Sequence, residues 1–315
     1  MKKKPAICTI EAPCKINLHL CIGDRRPDGF HTIESLFASL VLSDRLRFQL
    51  RGEGVFLSTN METGEEEIPE DKNLIIKAIS LFREITGFRE GLNIHLYKRI
   101  PLGAGLGGGS SDAAATILAL NLLSRAGLPA PELQAMAAIL GSDVPFFLEG
   151  GTAYVSGRGE LVEPVKPPQG MWVVLVKPPF SSGTALAYSL LDRARKQRAS
   201  GERREALSKE TLIRALEGES ILWPFYNDFL PVFLCAGEEK PEPESTSRAK
   251  TYKAILDLLR DCGASFAGLS GSGSCCFGIF GSKGRAEKAV ERFSENGNFA
   301  GLTFFLARRT DPVLE

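Results

Sequence analysis

Five glycines fall within seven residues of the segment Pro101-Leu-Gly-Ala-Gly-Leu-Gly-Gly-Gly-Ser-Ser-Asp-Ala-Ala-Ala115, at Gly103, Gly105, Gly107, Gly108 and Gly109. Without Cβ atoms this backbone can approach a ligand closely and enter positive φ. Alternating apolar residues over 92–100 predict a strand before the loop. An alanine-rich run predicts a helix after it, from about Ser111 to Ala126, stopped by Gly127 and Pro129. A glycine turn opening a helix presents free N–H groups and the positive end of the helix dipole, a setting that favours an anion, most often phosphate. The candidate phosphate-binding segment is therefore Pro101, Leu102, Gly103, Ala104, Gly105, Leu106, Gly107, Gly108, Gly109, Ser110 and Ser111. The hydroxyls of Ser110 and Ser111 suit helix capping, phosphate or Mg²⁺. A flexible linker is the bland alternative, and five glycines opening a strong helix exceed what a linker needs.

The familiar phosphate loops do not fit. Gly103-x-Gly105-x-x-Gly108 matches a dinucleotide fingerprint only nominally. That motif also needs an acidic residue about 20 positions on, at a strand end. Here that region is Leu122–Leu128, the end of a helix. A Walker loop needs a lysine after its glycines, and protein kinases need His-Arg-Asp and Asp-Phe-Gly; the chain has none of these.

The rest of the chain reads as mixed helix and strand. Residues 6–22 alternate as a strand, with Ile16, Leu18 and Leu20 on one face and Lys15, Asn17 and His19 on the other. A turn at Asp24–Gly29 follows, then an apolar run to Val41, a strand over 45–57 and a helix over Asp71–Phe88. Beyond the glycine loop come a helix at Pro131–Leu140 and strands over 152–176 around a Gly157-Arg158-Gly159 turn. The second half has helices near 184–195 and 251–262, then strands near 273–280 and 302–308. The charged residues of 192–220 predict a solvated helix face, and 236–250 a mobile loop. Without strict βαβ alternation the class is α+β. A composition shift at Pro164–Gly170 places the domain boundary near 168, giving domains 1–168 and 169–315.

Composition excludes several functions. Lys and Arg total 38 against 38 for Asp and Glu, which removes the electrostatic case for a nucleic-acid binder. Seven cysteines without a C-x-x-C pair support neither a disulfide framework nor a zinc site, and point to the cytoplasm. No run of ~18 apolar residues suits a membrane span, and no signal-peptide core follows the basic start. Oligomeric state is not legible.

Three motifs together carry a resemblance. Pro101–Ala115 resembles the second motif of the GHMP kinase superfamily, which includes galactokinase, homoserine kinase and mevalonate kinase. Ala12-Pro13-Cys14-Lys15-Ile16-Asn17-Leu18 resembles the first, and Gly268-Leu-Ser-Gly-Ser-Gly-Ser-Cys-Cys-Phe-Gly278 the third. The resemblance implies a two-domain fold, with an N-terminal domain like ribosomal protein S5 domain 2 and a ferredoxin-like C-terminal domain. It also implies ATP as phosphoryl donor, with Mg²⁺. The segments Arg25–Ile33 and Gly141–Phe147 resemble the branch that phosphorylates the 2-hydroxyl of 4-diphosphocytidyl-2-C-methyl-D-erythritol, a non-mevalonate isoprenoid precursor.

Residue by residue, the resemblance implies roles that the residue types support. Asp143 is the expected base for the acceptor hydroxyl; its bland reading is a helix N-cap before Pro145. Lys15 is the expected partner of Asp143, offsetting γ-phosphate charge; its bland reading is an exposed lysine. Asn17, two residues on, shares that face and suits substrate hydroxyls. Phe30 offers an aromatic face for cytosine and His31 its hydrogen-bonding edge, with Tyr188 closing the other side and Thr184 as a further substrate contact. Phe30 stands where family members commonly have Tyr, a change that keeps the stacking face and loses any hydroxyl contact; the bland reading of Phe30 and Tyr188 is plain core residues. Asn73 and Lys98 match positions near the adenine, or are surface residues. His19 and His95 receive no role, and Cys275 and Cys276 pack on opposite faces of a strand. Two alternatives stay open: another superfamily kinase with a different acceptor, and a nucleotide-binding regulator without catalysis. Lys15 together with Asp143 argues against the second, and the Arg25–His31 turn against the first.

Overall fold

The computed structural model describes residues 6–62, 68–197, 206–235, 243–295 and 298–315. Alternating apolar residues open the chain as β1 (Ile7–Arg25), which returns as β2 (His31–Arg51) in a long antiparallel hairpin. Gly29 closes the turn at φ 87°, a conformation that favours glycine. Next come β3 (Val55–Met61), α1 (Leu74–Thr86), β4 (Gly91–Lys98), α2 (Gly108–Ser124), α3 (Ala130–Leu140), α4 (Val144–Glu149), β5 (Thr152–Ser156) and β6 (Leu161–Val165). The second half holds β7 (Trp172–Lys177), α5 (Thr184–Gln197), α6 (Lys209–Glu217), α7 (Phe229–Cys235), α8 (Pro243–Asp261), β8 (Phe266–Leu269), β9 (Cys276–Phe280), α9 (Lys283–Glu295), β10 (Phe299–Phe304) and β11 (Val313–Leu314). The first sheet runs β11-β1-β2-β4-β3, with β5 paired to β2 and to β6; the second runs β10-β7-β9-β8. The chain is α+β.

α2 explains why the glycine loop is held firmly. It is buried from Ser111 to Leu120 and again at Leu123, and it packs against β1, α1, α3 and α4. A helix apolar on every side belongs in a core, where each buried Leu or Ile contributes about 1.5–3 kcal/mol. The two halves join at β1. Leu20 donates to the Tyr226 carbonyl at 2.8 Å and accepts from Asp228 N–H at 3.0 Å, and Ile22 N–H reaches Asp228 Oδ2 at 2.8 Å.

Several expectations change. β2 runs through Ser43 and Asp44, where a break was expected, because the buried Asp44 carboxylate satisfies neighbouring N–H groups instead of ending the strand. The 45–57 strand divides at Gly52–Gly54, and its second part becomes β3, parallel to β4. The predicted single apolar face of β1 divides too. The register shifts between Asn17 and His19, so Ile16 and Leu18 enter one core cluster and Leu20 the other. A bulge inverts the alternation of everything beyond it. Cys275 and Cys276 divide between the two clusters, as expected of neighbours packing on opposite faces. α2 begins at Gly108, earlier than the expected Ser111. Residues 243–250 of the predicted loop lie in α8, while 236–242 fall outside the described residues. The charged 192–220 stretch is not merely solvated: Arg195 donates to the Ile22 and Gly23 carbonyls at 2.5 and 2.9 Å. Its residues 198–205 are outside the described set.

Candidate active site

The two halves enclose a cavity of about 1170 Å³. The glycine loop forms one wall. Gly103, Gly105 and Gly107 take φ of 58°, 74° and 71°, and the consequence is polarity. The carbonyls of Gly103, Ala104, Gly105, Leu106 and Gly107 accept from Ser182 N, Cys275 N, Ser270 Oγ, Lys15 N and Ser111 N. Among the described residues, no protein acceptor receives the N–H groups of Gly105 to Ser110. These five carbonyls are thus turned into the protein and the Gly105–Ser110 N–H groups are left over, at the start of a 17-residue helix. Such a nest suits an anion. The glycines also permit close packing within the protein. A Cβ on Gly105 would lie 2.2 Å from the Ser270 carbonyl oxygen, and one on Gly107 would lie 3.1 Å from Lys15 Cγ. The loop therefore binds the Gly268–Gly278 motif and Lys15 as well as facing the cavity.

Lys15 and Asp143 meet beside this loop, Nζ to Oδ2 at 3.2 Å. Asp143 stands at the N-cap position of α4 but makes no side-chain capping bond; its carboxylate turns to Lys15 instead. Lys15 is 3% exposed, far from the surface lysine of the bland reading. Its ammonium donates to Asn17 Oδ1 at 2.6 Å and lies 4.4 Å from the centre of the Phe37 ring.

The aromatic half lies between the β1–β2 turn and α5. Phe30 is half exposed, with the Arg158 guanidinium 5.2 Å above its ring. His31 and Tyr188 stack directly on each other, centroids 5.1 Å apart at 26°. Tyr188 and Phe30 both line the cavity, and Tyr188 packs directly on His31. His31 Nδ1 lies 3.2 Å from the Gly23 carbonyl and Nε2 3.2 Å from Asp192 Oδ1. Burial, with the Asp143 charge second, pushes the Tyr188 phenol up to about 12. Thr184 Oγ1 lies 3.1 Å from Ser272 Oγ, joining α5 to the third glycine motif.

Lys98 borders the cavity but is no surface residue, and its ammonium binds two carboxylates. It is 1% exposed and donates to Asp44 at 2.5 Å and Asp112 at 2.7 Å. Asp44 also accepts from the N–H groups of Arg99 and Ile100 at 2.6 and 2.9 Å. This trio fastens the end of β4 to the first turns of α2. Burial works against the Lys98 charge, yet the two carboxylates outweigh it and raise its pKa. Burial pushes the Asp112 carboxyl up to about 7, with Lys98 opposing the shift and Asp44 adding to it. Asn73 caps α1, accepting from Ile75 N–H at 2.9 Å. It and Ser111 are the two expected site residues that do not line the cavity. Ser111 Oγ is buried without a hydrogen-bond partner among the described residues. Sequence reasoning missed Asp44, Asp112, Asp192 and Phe37. Asp192 did leave a signal: Thr184, Tyr188 and Asp192 recur every four residues on one face of α5.

Known proteins match this chain closely. The model described as GHMP kinases N terminal domain matches residues 73–151, and GHMP kinases C terminal matches 240–298. A 4-diphosphocytidyl-2-C-methyl-D-erythritol kinase of Synechococcus sp. (strain CC9605) is 38% identical over 310 residues, covering 97% of this chain and 98% of that protein. Its namesake in Shouchella clausii (strain KSM-K16) is 37% identical over 282 residues, covering 89% and 88%. A crystal structure of 4-(cytidine 5'-diphospho)-2C-methyl-D-erythritol kinase superposes with a TM-score of 0.73 at 33% identity, over 94% of this chain and 98% of that one. Homoserine kinase from Cytophaga hutchinsonii shares the fold, with a TM-score of 0.65 at 18% identity over 98% and 97% of the two chains.

Proposed function

The chain belongs to the GHMP kinases, among the 4-diphosphocytidyl-2-C-methyl-D-erythritol kinases, and from that premise we propose how its cleft carries out the reaction. It is an ATP-dependent small-molecule kinase. It transfers the γ-phosphoryl group to the 2-hydroxyl of 4-diphosphocytidyl-2-C-methyl-D-erythritol, leaving ADP. One observation carries the assignment of parts: the donor-rich face of the glycine loop adjoins the Lys15–Asp143 pair.

The triphosphate lies along the N–H groups of Gly105 to Ser110. Its terminal group then comes to Lys15, whose backbone already bonds to the Leu106 carbonyl at 2.9 Å. The acceptor is a tertiary alcohol, hindered and weakly nucleophilic. Asp143 takes the hydroxyl proton as the oxygen–phosphorus bond forms and the bond from the γ-phosphorus to the β–γ bridging oxygen breaks. Lys15 offsets charge on the γ-oxygens. In-line placement and charge stabilisation do most of the work in phosphoryl transfer, and a positioned base adds ~10²–10⁴-fold.

Phe30 stacks on cytosine, worth about 1–3 kcal/mol. His31 reads the base edge, exchanging Asp192 for the base. Asn17 and Thr184 hold the acceptor, and Tyr188 backs His31. Among the described residues no three His, Cys, Asp or Glu cluster to cage a metal. The Ser110 hydroxyl, on the cavity wall beside the phosphate nest, fits Mg²⁺ carried mainly by the nucleotide's own phosphates. Mg²⁺ bound there would neutralise phosphate charge.

The test follows ADP release with diphosphocytidyl-methylerythritol, mevalonate, homoserine and galactose side by side. Turnover is expected with the first alone, inhibited by cytidine nucleotides. Turnover with another acceptor, or indifference to cytidine nucleotides, overturns the assignment.

A further inference from the structure

We propose that Ser35 is a positioning residue for phosphoryl transfer: its hydroxyl fixes which way the Asn17 carboxamide faces, and through Asn17 it holds the Lys15 ammonium against Asp143. Ser35 is fully buried on β2 and does not line the cavity. Its Oγ–H donates to the His19 carbonyl, and the same oxygen accepts from Asn17 Nδ2 at 3.1 Å. On its other side Asn17 Oδ1 accepts from Lys15 Nζ at 2.6 Å, and Lys15 lies 3.2 Å from Asp143.

The orientation follows from counting protons. A hydroxyl has one proton, and here the His19 carbonyl takes it. Only a lone pair remains for Asn17, and only the amide nitrogen can meet a lone pair. The amide oxygen must therefore face Lys15. Without the hydroxyl, a flipped amide would set its N–H groups against the ammonium, donor against donor. The ammonium would then lose one of its two acceptors in a site where burial makes an unmet donor costly. The bulge between Asn17 and His19 makes the relay possible: Asn17 pairs across the hairpin with Phe37 and Leu20 with Ser35, so the His19 carbonyl and the Asn17 amide meet on one hydroxyl.

The inference rests on the roles given to Lys15 and Asp143, so Lys15→Met and Asp143→Asn are assayed in parallel. Ser35→Ala is expected to lower kcat about tenfold with the KM for ATP unchanged, the size of one lost buried hydrogen bond to a charged network. Ser35→Thr, which keeps the hydroxyl, is expected to restore kcat. In an Asn17→Ala background Ser35→Ala is expected to have no further effect on kcat, because the relay is already cut. Ser35→Cys, close in volume and a poor hydrogen-bonding group, makes the same comparison should the alanine variant fail to fold. Wild-type kcat in Ser35→Ala or Ser35→Cys, equal losses in the threonine and alanine variants, or additive losses with Asn17→Ala overturns the proposal. If Lys15→Met and Asp143→Asn also retain full turnover, the catalytic assignment itself fails; if only the Ser35 variants do, the positioning role alone fails.

Discussion

Single side chains in this protein differ chiefly in what burial does to them. His31 holds an acceptor at each ring nitrogen, Gly23 and Asp192, and lines the cleft. We expect His31→Ala to raise the KM for the cytidine substrate at least about tenfold and that for ATP little, as the loss of a base-edge hydrogen bond implies. Equal changes in both would remove His31 from base recognition. His19 is a different case. Its ring lies wholly in the interior, Nε2 has no partner among the described residues, and burial lowers its pKa from 6.5 to about 4. Folding then favours the neutral ring. Its stability contribution is complete above pH 6.5 and is lost as the pH falls through 4, on the order of 3 kcal/mol. The urea midpoint should drop over that range more steeply in the wild type than in His19→Gln; parallel slopes would contradict this. The sequence shows His19 only as a lone histidine on a strand. What decides its behaviour is the Tyr226 and Phe225 rings from the other half of the chain, which no local pattern reveals.

At the scale of elements, the glycine loop ties three motifs into one surface. Gly105 is at φ 74°, and a Cβ there would press on the Ser270 and Gly273 carbonyl oxygens at 2.2 and 2.9 Å. Gly105→Ala should therefore displace the loop from the third motif and raise the KM for ATP at least about tenfold, beyond the roughly 1 kcal/mol of an ordinary glycine replacement. Nucleotide titration measures this, and unchanged affinity would mean that the loop's register does not matter. The elements with strong periodic signals were legible, β1, α1 and β4, as was the core of α2 from its alanine-rich run between glycine punctuation; all lie close to their expected positions. Those that escaped have physical reasons. α9 buries only Ala286, Ala289 and Phe293, a stripe too thin to stand out among its charges. α7 is short and largely apolar, so it shows no period. Asp44 falls between the predicted apolar run to Val41 and the strand over 45–57, and its role shows only when Lys98 and two N–H groups are found on it.

The whole molecule brings residues from both halves to one cavity, and that assembly is what the motif order implied but no segment alone contains. Lys15, Asp143 and the glycine loop come from the first half; Thr184, Tyr188, Asp192 and Ser272 come from the second. The most direct test of the account is the single-turnover rate of phosphoryl transfer to the 2-hydroxyl by Asp143→Asn, measured with ATP affinity on the same sample. The account predicts a rate at least ~10²-fold below wild type with ATP affinity unchanged; transfer at the wild-type rate would contradict it.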